Sequence, residues 1–231
     1  MKIFHAMSLN IFIKLSSFFR SLTELNQKVE ETTRKCQKIE HVFSPFLNGL
    51  RHKIREIAGN FVKNVPSTNQ HSGILDYAWR KSSYEVVQTA RKIKNGKSWS
   101  QVELTYVKCH LVNCFGHYQH LLLEFQAGLD FEVQSSYGIL QDCDGKKEKK
   151  EMAPNDKLIF KCLMFMGDLS RYHLEFLDEP EQNEVYRKLA KRYYHQSLAV
   201  DSSHGQPFNQ LAALSMGQAH GIISVYYYLR W

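Results

Sequence analysis

Turn-forming residues are scarce: 231 residues contain 5 prolines and 12 glycines, too few for the many tight turns of an all-β chain of this size. Long apolar runs are missing too. Between Met1 and Arg20 the residues Ile3, Phe4, Leu9, Ile11, Phe12, Ile13, Leu15, Phe18 and Phe19 are interrupted by Lys2, His5, Asn10, Lys14 and Arg20. No stretch reaches the roughly 20 apolar residues of a membrane-crossing helix. No small-residue cleavage site follows, so the segment reads as an amphipathic first helix rather than a signal peptide. Cysteine is sparse and odd in number: Cys36, Cys109, Cys114, Cys143 and Cys162. Their spacing fits no metal framework, and reduced thiols in a cytosolic or nuclear chain are the expectation.

Catalytic signatures are lacking as well. There is no G-x-x-x-x-G-K-[ST], no G-x-G-x-x-G, no G-x-S-x-G and no H-E-x-x-H. His110 and His117 share a helix face and His120 is offset from it, without the further ligands a metal would need. Glu175, Asp178, Glu179 and Glu181 gather at a helix end and read as a solvated cap region, not as an acid–base pair in a cleft. No catalytic residue, metal or cofactor is expected. Acidic charge is the minority: 30 Lys and Arg against 23 Asp and Glu give a net charge of +7 and a pI near 9.1. That balance favours anionic partners without choosing among them.

Helical periodicity fills the rest. Residues 21–63 follow a polar helical pattern, with Pro45 interrupting it before Leu47, Leu50, Ile54, Ile57 and Phe61 resume the period. A helix is expected over about 73–94, stopped by Asn95-Gly96. Leu104, Val107, Leu111, Cys114, Tyr118, Leu122 and Phe125 mark a long amphipathic helix, opened by a Ser100–Glu103 capping box and closed by Gly128. A charged segment, 141–157, reads as a solvated loop. Another helix is expected from Asn155, acting as its cap, to Leu177, with Ile159, Cys162, Met166, Leu169, His173 and Leu177 as its buried stripe and Glu179-Pro180 as its end. Shorter helices follow over about 183–200, 208–216 and 221–231. The order resembles a stack of helical hairpins of the tetratricopeptide kind. The fold class is therefore all-α, an array of antiparallel helices.

Within the fourth long helix, Arg171 lies about 200° from Leu169 and so is expected off the core face, with Tyr172 beside it. A guanidinium fork next to a phenol suits a phosphate. The alternative from spacing alone is an exposed arginine paired with Glu175 one turn on.

Several segments carry a resemblance. Gly167-Asp168-Leu169-Ser170-Arg171-Tyr172, Tyr193-Tyr194-His195-Gln196-Ser197-Leu198, Gly205-Gln206-Pro207-Phe208-Asn209-Gln210-Leu211-Ala212 and Tyr226-Tyr227-Tyr228-Leu229-Arg230 occur in this order. Together they resemble the ever-shorter-telomeres/SMG family of nonsense-mediated mRNA decay factors. Ala78-Trp79-Arg80-Lys81-Ser82-Ser83-Tyr84-Glu85-Val86-Val87 and Phe115-Gly116-His117-Tyr118-Gln119-His120-Leu121-Leu122 are similar to its SMG-five branch.

The resemblance spans about 75–231 and implies a 14-3-3-like, tetratricopeptide-type helical domain over 73–231, preceded by divergent N-terminal helices over 1–72. It implies a non-enzymatic adaptor that binds phosphoserine or phosphothreonine on the phosphorylated RNA helicase of the decay pathway and recruits a protein phosphatase and decay machinery. Arg171 and Tyr172 are then the phosphate-binding pair, and Asn209 the amide that holds the peptide backbone. Where the seven branch carries a phosphate-contacting lysine, this chain has Tyr84; Arg80, one turn earlier, is the substitute cation. Two other readings follow from the family: a scaffold pairing with an SMG-seven-like sibling through a degenerate pocket, and a telomerase- or nucleic-acid-associated protein. No membrane partner is implied, and the location is cytoplasmic with shuttling to the nucleus. The family's later hairpins and its C-terminal nuclease-like domain have no counterpart in the 231 residues, which read as part of such a protein or a reduced form of it.

Overall fold

The computed structural model of the chain describes residues 2–64, 71–127, 153–176, 180–216 and 221–231. The described residues are helical, with no strand among them. The helices are α1 (Lys2–Arg34), α2 (Ile39–Val42), α3 (Pro45–Asn64), α4 (His71–Trp79), a π turn (Arg80–Tyr84), α5 (Glu85–Lys94), α6 (Gln101–Gln126), α7 (Pro154–Glu175), α8 (Pro180–Val200), α9 (Gln206–Ser215) and α10 (Gly221–Arg230). The all-α array expected of a 14-3-3-like, tetratricopeptide-type chain is what forms. No described helix is long and apolar enough to cross a membrane.

The chain divides into two compact units, residues 1–67 with 73–107, and residues 68–72 with 108–231. In the first, α1 packs on α3; the rings of Phe18 and Phe61 lie 4.2 Å apart. Arg51 and Arg55 are buried there, and their guanidinium groups donate to the carbonyls of Val42 and Ser82, which satisfies charges that would otherwise be costly to bury. The helical pattern breaks at Phe43 and Ser44, just before Pro45, which opens α3. Its fixed φ suits a first helical turn, where its missing N–H is not needed. A further break falls earlier, after Arg34.

The expected 73–94 helix forms with a π turn inserted at Arg80–Tyr84. It stops as anticipated at Asn95 and Gly96, with φ of 44° and 80°. The capping box on α6 is present in both directions: Ser100 N–H donates to Glu103 Oε2 at 2.8 Å, and Glu103 N–H to Ser100 Oγ at 3.3 Å.

In the second unit, α7 and α8 are antiparallel. His173 stacks on Tyr186 at 4.4 Å, Tyr194 bonds Asp168, and Ser197 donates to Met164 Sδ at 3.4 Å, so one index rises as the other falls. The α9–α10 hairpin continues the stack, tied by Ser224 Oγ donating to the Ala212 carbonyl at 3.2 Å. Phe160, Met164, Ala190, Tyr194, Leu198, Phe208, Leu211 and Leu214 form the shared core.

Helix α7 departs from the one-stripe pattern. From Leu158 to Ser170 every residue but Lys161 is buried, and so are Tyr172 and His173. A helix that is buried nearly all round is an interior helix. Its N-cap is Ala153, with Pro154 in the first turn and no side-chain cap; Asn155 does not serve as the cap. Pro180 opens α8. Gly128, Cys143, Leu177, Asp178, Glu179 and most of the charged 141–157 segment lie outside the described residues, and that segment's end, from Pro154, belongs to α7. Cys36, Cys109, Cys114 and Cys162 are free thiols.

Burial gives the second unit a pH dependence. The His173 ring is pushed down to about 4, by desolvation first and by Lys108 second. His71 and His195 are lowered in the same direction, mainly by burial. The folded chain thus refuses protons that the unfolded chain binds below about 6.5, so this contribution is complete above that pH and is lost as the pH falls toward 4. For His173 alone the loss is on the order of 3 kcal/mol. Buried Asp168 works in the opposite sense, so the readout is a difference: urea unfolding between pH 7 and 4.5 should show a steeper loss for the wild type than for His173→Gln. Equal slopes would contradict the assignment.

Candidate functional site

The strongest cluster of polar chemistry in the second unit lies where α7 meets α8. Gly167 allows it. A Cβ at that position would sit 2.5 Å from Tyr194 Cε1 and 2.8 Å from Cδ1, closer than carbon atoms approach. The bare backbone lets the Tyr194 ring lie flat against α7. Tyr194 Oη then donates to Asp168 Oδ1 at 2.7 Å, and the same oxygen accepts from Arg171 Nη2 at 3.4 Å. Glu175 stands 3.9 Å from Arg171 Nη1. The guanidinium lies over the Tyr172 ring, 4.8 Å from its centroid, within the range of a cation–π contact.

The electrostatics follow from depth. Burial lifts the Asp168 carboxyl above its ordinary range, against the pull of Arg171 and the Tyr194 hydroxyl. Burial and the nearby Asp168 carboxylate hold the Tyr194 phenol well above its ordinary value. Burial works against the charge on Arg171, yet the surrounding oxygens of Tyr194, Asp168 and Tyr172 hold the guanidinium above its ordinary value. It stays a permanent cation.

The structure brings Arg171 and Tyr172 together, with a division of labour that spacing did not suggest. Arg171 keeps 24% of its side chain exposed. Tyr172 is 3% exposed and so faces inward, contrary to the expectation that it stands outside beside the arginine. On an interior helix such as α7, a 100° step from the one accessible strip leads straight into packing. Tyr172 therefore acts as an aromatic floor beneath the cation. The Glu175 pairing is also present, and Asp168, which spacing did not single out, adds a second carboxylate. Its i,i+3 relation to Arg171 and the glycine beside it were the available signals.

Asn209 is half-buried on α9, a helix that packs on α7 and α8. Arg80 belongs to the first unit, inside the π turn, where a reckoning of 100° per residue does not hold. Its Nε lies 3.7 Å from Glu85 and its guanidinium 5.9 Å from the Tyr77 centroid, with 57% of the side chain exposed. Lys81 is held between Glu30 at 2.9 Å and Glu85 at 3.1 Å and is 13% exposed. Tyr84 is exposed.

Among the histidines of α6, His110 is buried with its Nε2 3.5 Å from Cys114 Sγ, His117 packs edge-on against Tyr118, and His120 meets Glu124 at 3.4 Å. No group of three or more metal-ligating side chains gathers among the described residues.

The chain is similar to known nonsense-mediated mRNA decay factors. Over 230 residues the chain is 32% identical to the nonsense-mediated mRNA decay factor SMG5 of Danio rerio, covering 94% of this chain and 20% of that protein. The human SMG5 is 32% identical over 223 residues, 92% of this chain and 21% of the relative. The chain is SMG5-like. The decay factor SMG7 of Arabidopsis thaliana is 26% identical over 155 residues, 64% of this chain and 14% of the relative. Residues 190–230, from late α8 through α10, match the family described as Est1 DNA/RNA binding domain. This SMG5-like chain spans about a fifth of the length of the SMG5 proteins it matches.

The Gly167–Tyr194 approach is directly testable. Gly167→Ala must displace the ring and with it the bond to Asp168, and overpacking of this kind costs about 1–3 kcal/mol. Chemical unfolding should register that loss. Gly116→Ala, where an added Cβ meets nothing, should be neutral or slightly stabilising. Equal behaviour of the two variants would refute the close-packing account.

Proposed function

We propose that the chain is a non-enzymatic adaptor in nonsense-mediated mRNA decay, in which Arg171 receives a phosphoserine or phosphothreonine of the phosphorylated decay helicase. Binding then recruits phosphatase and decay machinery, in the cytoplasm with passage through the nucleus. The observation that supports it is a permanent cation on the narrow accessible strip of an otherwise buried helix. It is braced from below by the Tyr172 ring and from one side by Asp168.

A guanidinium has five N–H donors in a fixed fork. Asp168 occupies one edge at a long 3.4 Å. The contact to Glu175 is longer still, and that carboxylate is 41% exposed, so an incoming dianion displaces the loosest partner. Asn209, on a helix that packs on α7 and α8, holds the peptide backbone. The two carboxylates beside Arg171 make this a weaker phosphate site than one built from uncompensated cations.

Titration of a phosphoserine peptide by fluorescence anisotropy tests the reading. Arg171→Glu should weaken binding at least tenfold, since a charge-assisted bond is worth roughly 1.5–3 kcal/mol. Glu175→Gln should tighten it about two- to fivefold by removing the competitor. Unchanged affinity in both variants would exclude the site.

A second reading, a scaffold that pairs with an SMG-seven-like sibling, is favoured by α6. Cys109, Val112, Gly116 and Leu123 are exposed and recur at helical spacing, forming an apolar stripe interrupted by His120, with a bare glycine where another backbone could approach closely. Sedimentation of this chain with such a sibling should give a heterodimer that Val112→Glu combined with Leu123→Glu abolishes; monomers in the wild-type mixture would contradict it.

A further inference from the structure

Helix α10 packs on α9 and turns one face away from it. On the inner side, Ser224 Oγ donates to the Ala212 carbonyl, Tyr227 packs against the core and Trp231 lies against Gly205. Half a turn away, Ile222, Val225, Tyr226 and Leu229 fall within an arc of about 100°. Ile222 and Leu229 are 84% and 82% exposed, and Val225 and Tyr226 are about half exposed. Single exposed apolar side chains are ordinary. Four in one stripe, with no charge among them, form a surface of the kind that binds another protein. A hairpin that closes a helical stack carries a polar outer face, and α10 does not.

Two properties of the stripe select a second copy of the chain as its cover. The first is its pattern. Ile222, Val225, Tyr226 and Leu229 are spaced symmetrically about a midpoint between Val225 and Tyr226. An antiparallel α10 related by a two-fold axis at that midpoint sets Ile222 against the partner's Leu229 and Val225 against the partner's Tyr226. The spacing is that of a coiled-coil seam, and the contact closes on itself. The second is area. The four side chains expose on the order of 500 Å², so a pair covers about 1,000 Å², the lower limit for a specific interface. Ile223 and Trp231 are exposed beside them. Arg230 is the one charged residue of α10, and its guanidinium is drawn over the Phe208 ring, 5.5 Å from the centroid. Two copies of a basic chain can therefore meet along this stripe without like charges face to face.

We propose that α10 pairs with α10 of a second copy of this chain, antiparallel about a two-fold axis beside Val225 and Tyr226. An interface at the lower size limit gives a dimer that dissociates on dilution. The pairing is independent of phosphate binding at Arg171 and of the exposed stripe on α6.

Sedimentation equilibrium of the whole chain tests it. The mass should approach twice 27.0 kDa at about 100 µM and fall toward one chain at about 1 µM, as mass action requires. Ile222→Glu combined with Leu229→Glu should stay monomeric at both concentrations. Its circular dichroism and melting midpoint should match those of the dilute wild type, because both side chains are exposed. Val112→Glu combined with Leu123→Glu, on α6, should dimerise as the wild type does. Oxidation reads the direction, in a Cys109→Ser background that removes an exposed thiol. Ile222→Cys combined with Leu229→Cys should link two chains, and either substitution alone should add no link over that background. Copies of one such position lie seven residues of helix apart, about 10 Å along the axis, beyond the reach of a disulfide. A wild type that is monomeric at the higher concentration would overturn the proposal. So would a dimer that survives the α10 glutamates or is lost with the α6 glutamates. Efficient linking by either single cysteine would overturn the antiparallel arrangement.

Discussion

The second unit depends on one carboxylate held where carboxylates are costly. Asp168 is drawn into the α7–α8 contact, lifted above its ordinary pKa by desolvation, and made tolerable by two donors, the Tyr194 hydroxyl and the Arg171 guanidinium. Removing either donor leaves the buried oxygen with one partner in place of two, in a setting where lost partners are costly. The same oxygen therefore fixes the antiparallel register of α7 and α8 and the position of the cation on the surface. Gly167 is the backbone condition for this arrangement, because only a residue without Cβ admits the Tyr194 ring.

That coupling links packing to function. A surface arginine on a solvated helix spreads over many rotamers, and ordering it on binding costs entropy. Here the guanidinium is held by an aromatic floor and a buried acid before any ligand arrives, so the proposed docking of a phosphate costs less entropy. The same acid makes the site electrostatically modest, since part of the positive field at Arg171 is already neutralised. A partly neutralised cation suits the weak, reversible binding proposed for this chain.

Much of this was legible in the sequence. Apolar periodicity and scarce turn residues gave the all-α class, and local capping chemistry placed particular ends: the Ser100–Glu103 box and the left-handed Asn95-Gly96 stop are set by adjacent residues and appear as read. The errors came where tertiary packing or backbone irregularity overrides local pattern. Helices do end before Pro45 and Pro180, but each proline also opens the next helix, because proline fits a first turn as readily as it breaks an interior one. The π turn at Arg80–Tyr84 was invisible to a fixed 100° step. A single buried stripe on α7 leaves Tyr172 and Asp168 outside, yet both are buried, and a helix enclosed on nearly all sides gives no periodic warning of which polar residues face in. The Glu175 pairing was readable from i,i+4 spacing, whereas the Tyr194 bond spans 26 residues of sequence and needed the hairpin.

The most direct test of the central claim observes the cation itself. With arginine side chains labelled with 15N, the Nη resonances of Arg171 can be assigned by comparison with Arg171→Lys and followed while a phosphoserine peptide is added. The account predicts that these resonances shift and sharpen in a saturable way, that the unphosphorylated peptide leaves them in place, and that the peptide's 31P signal moves in parallel. Arg171 resonances that stay fixed while the peptide binds would contradict it, because the phosphate would then be resting somewhere else.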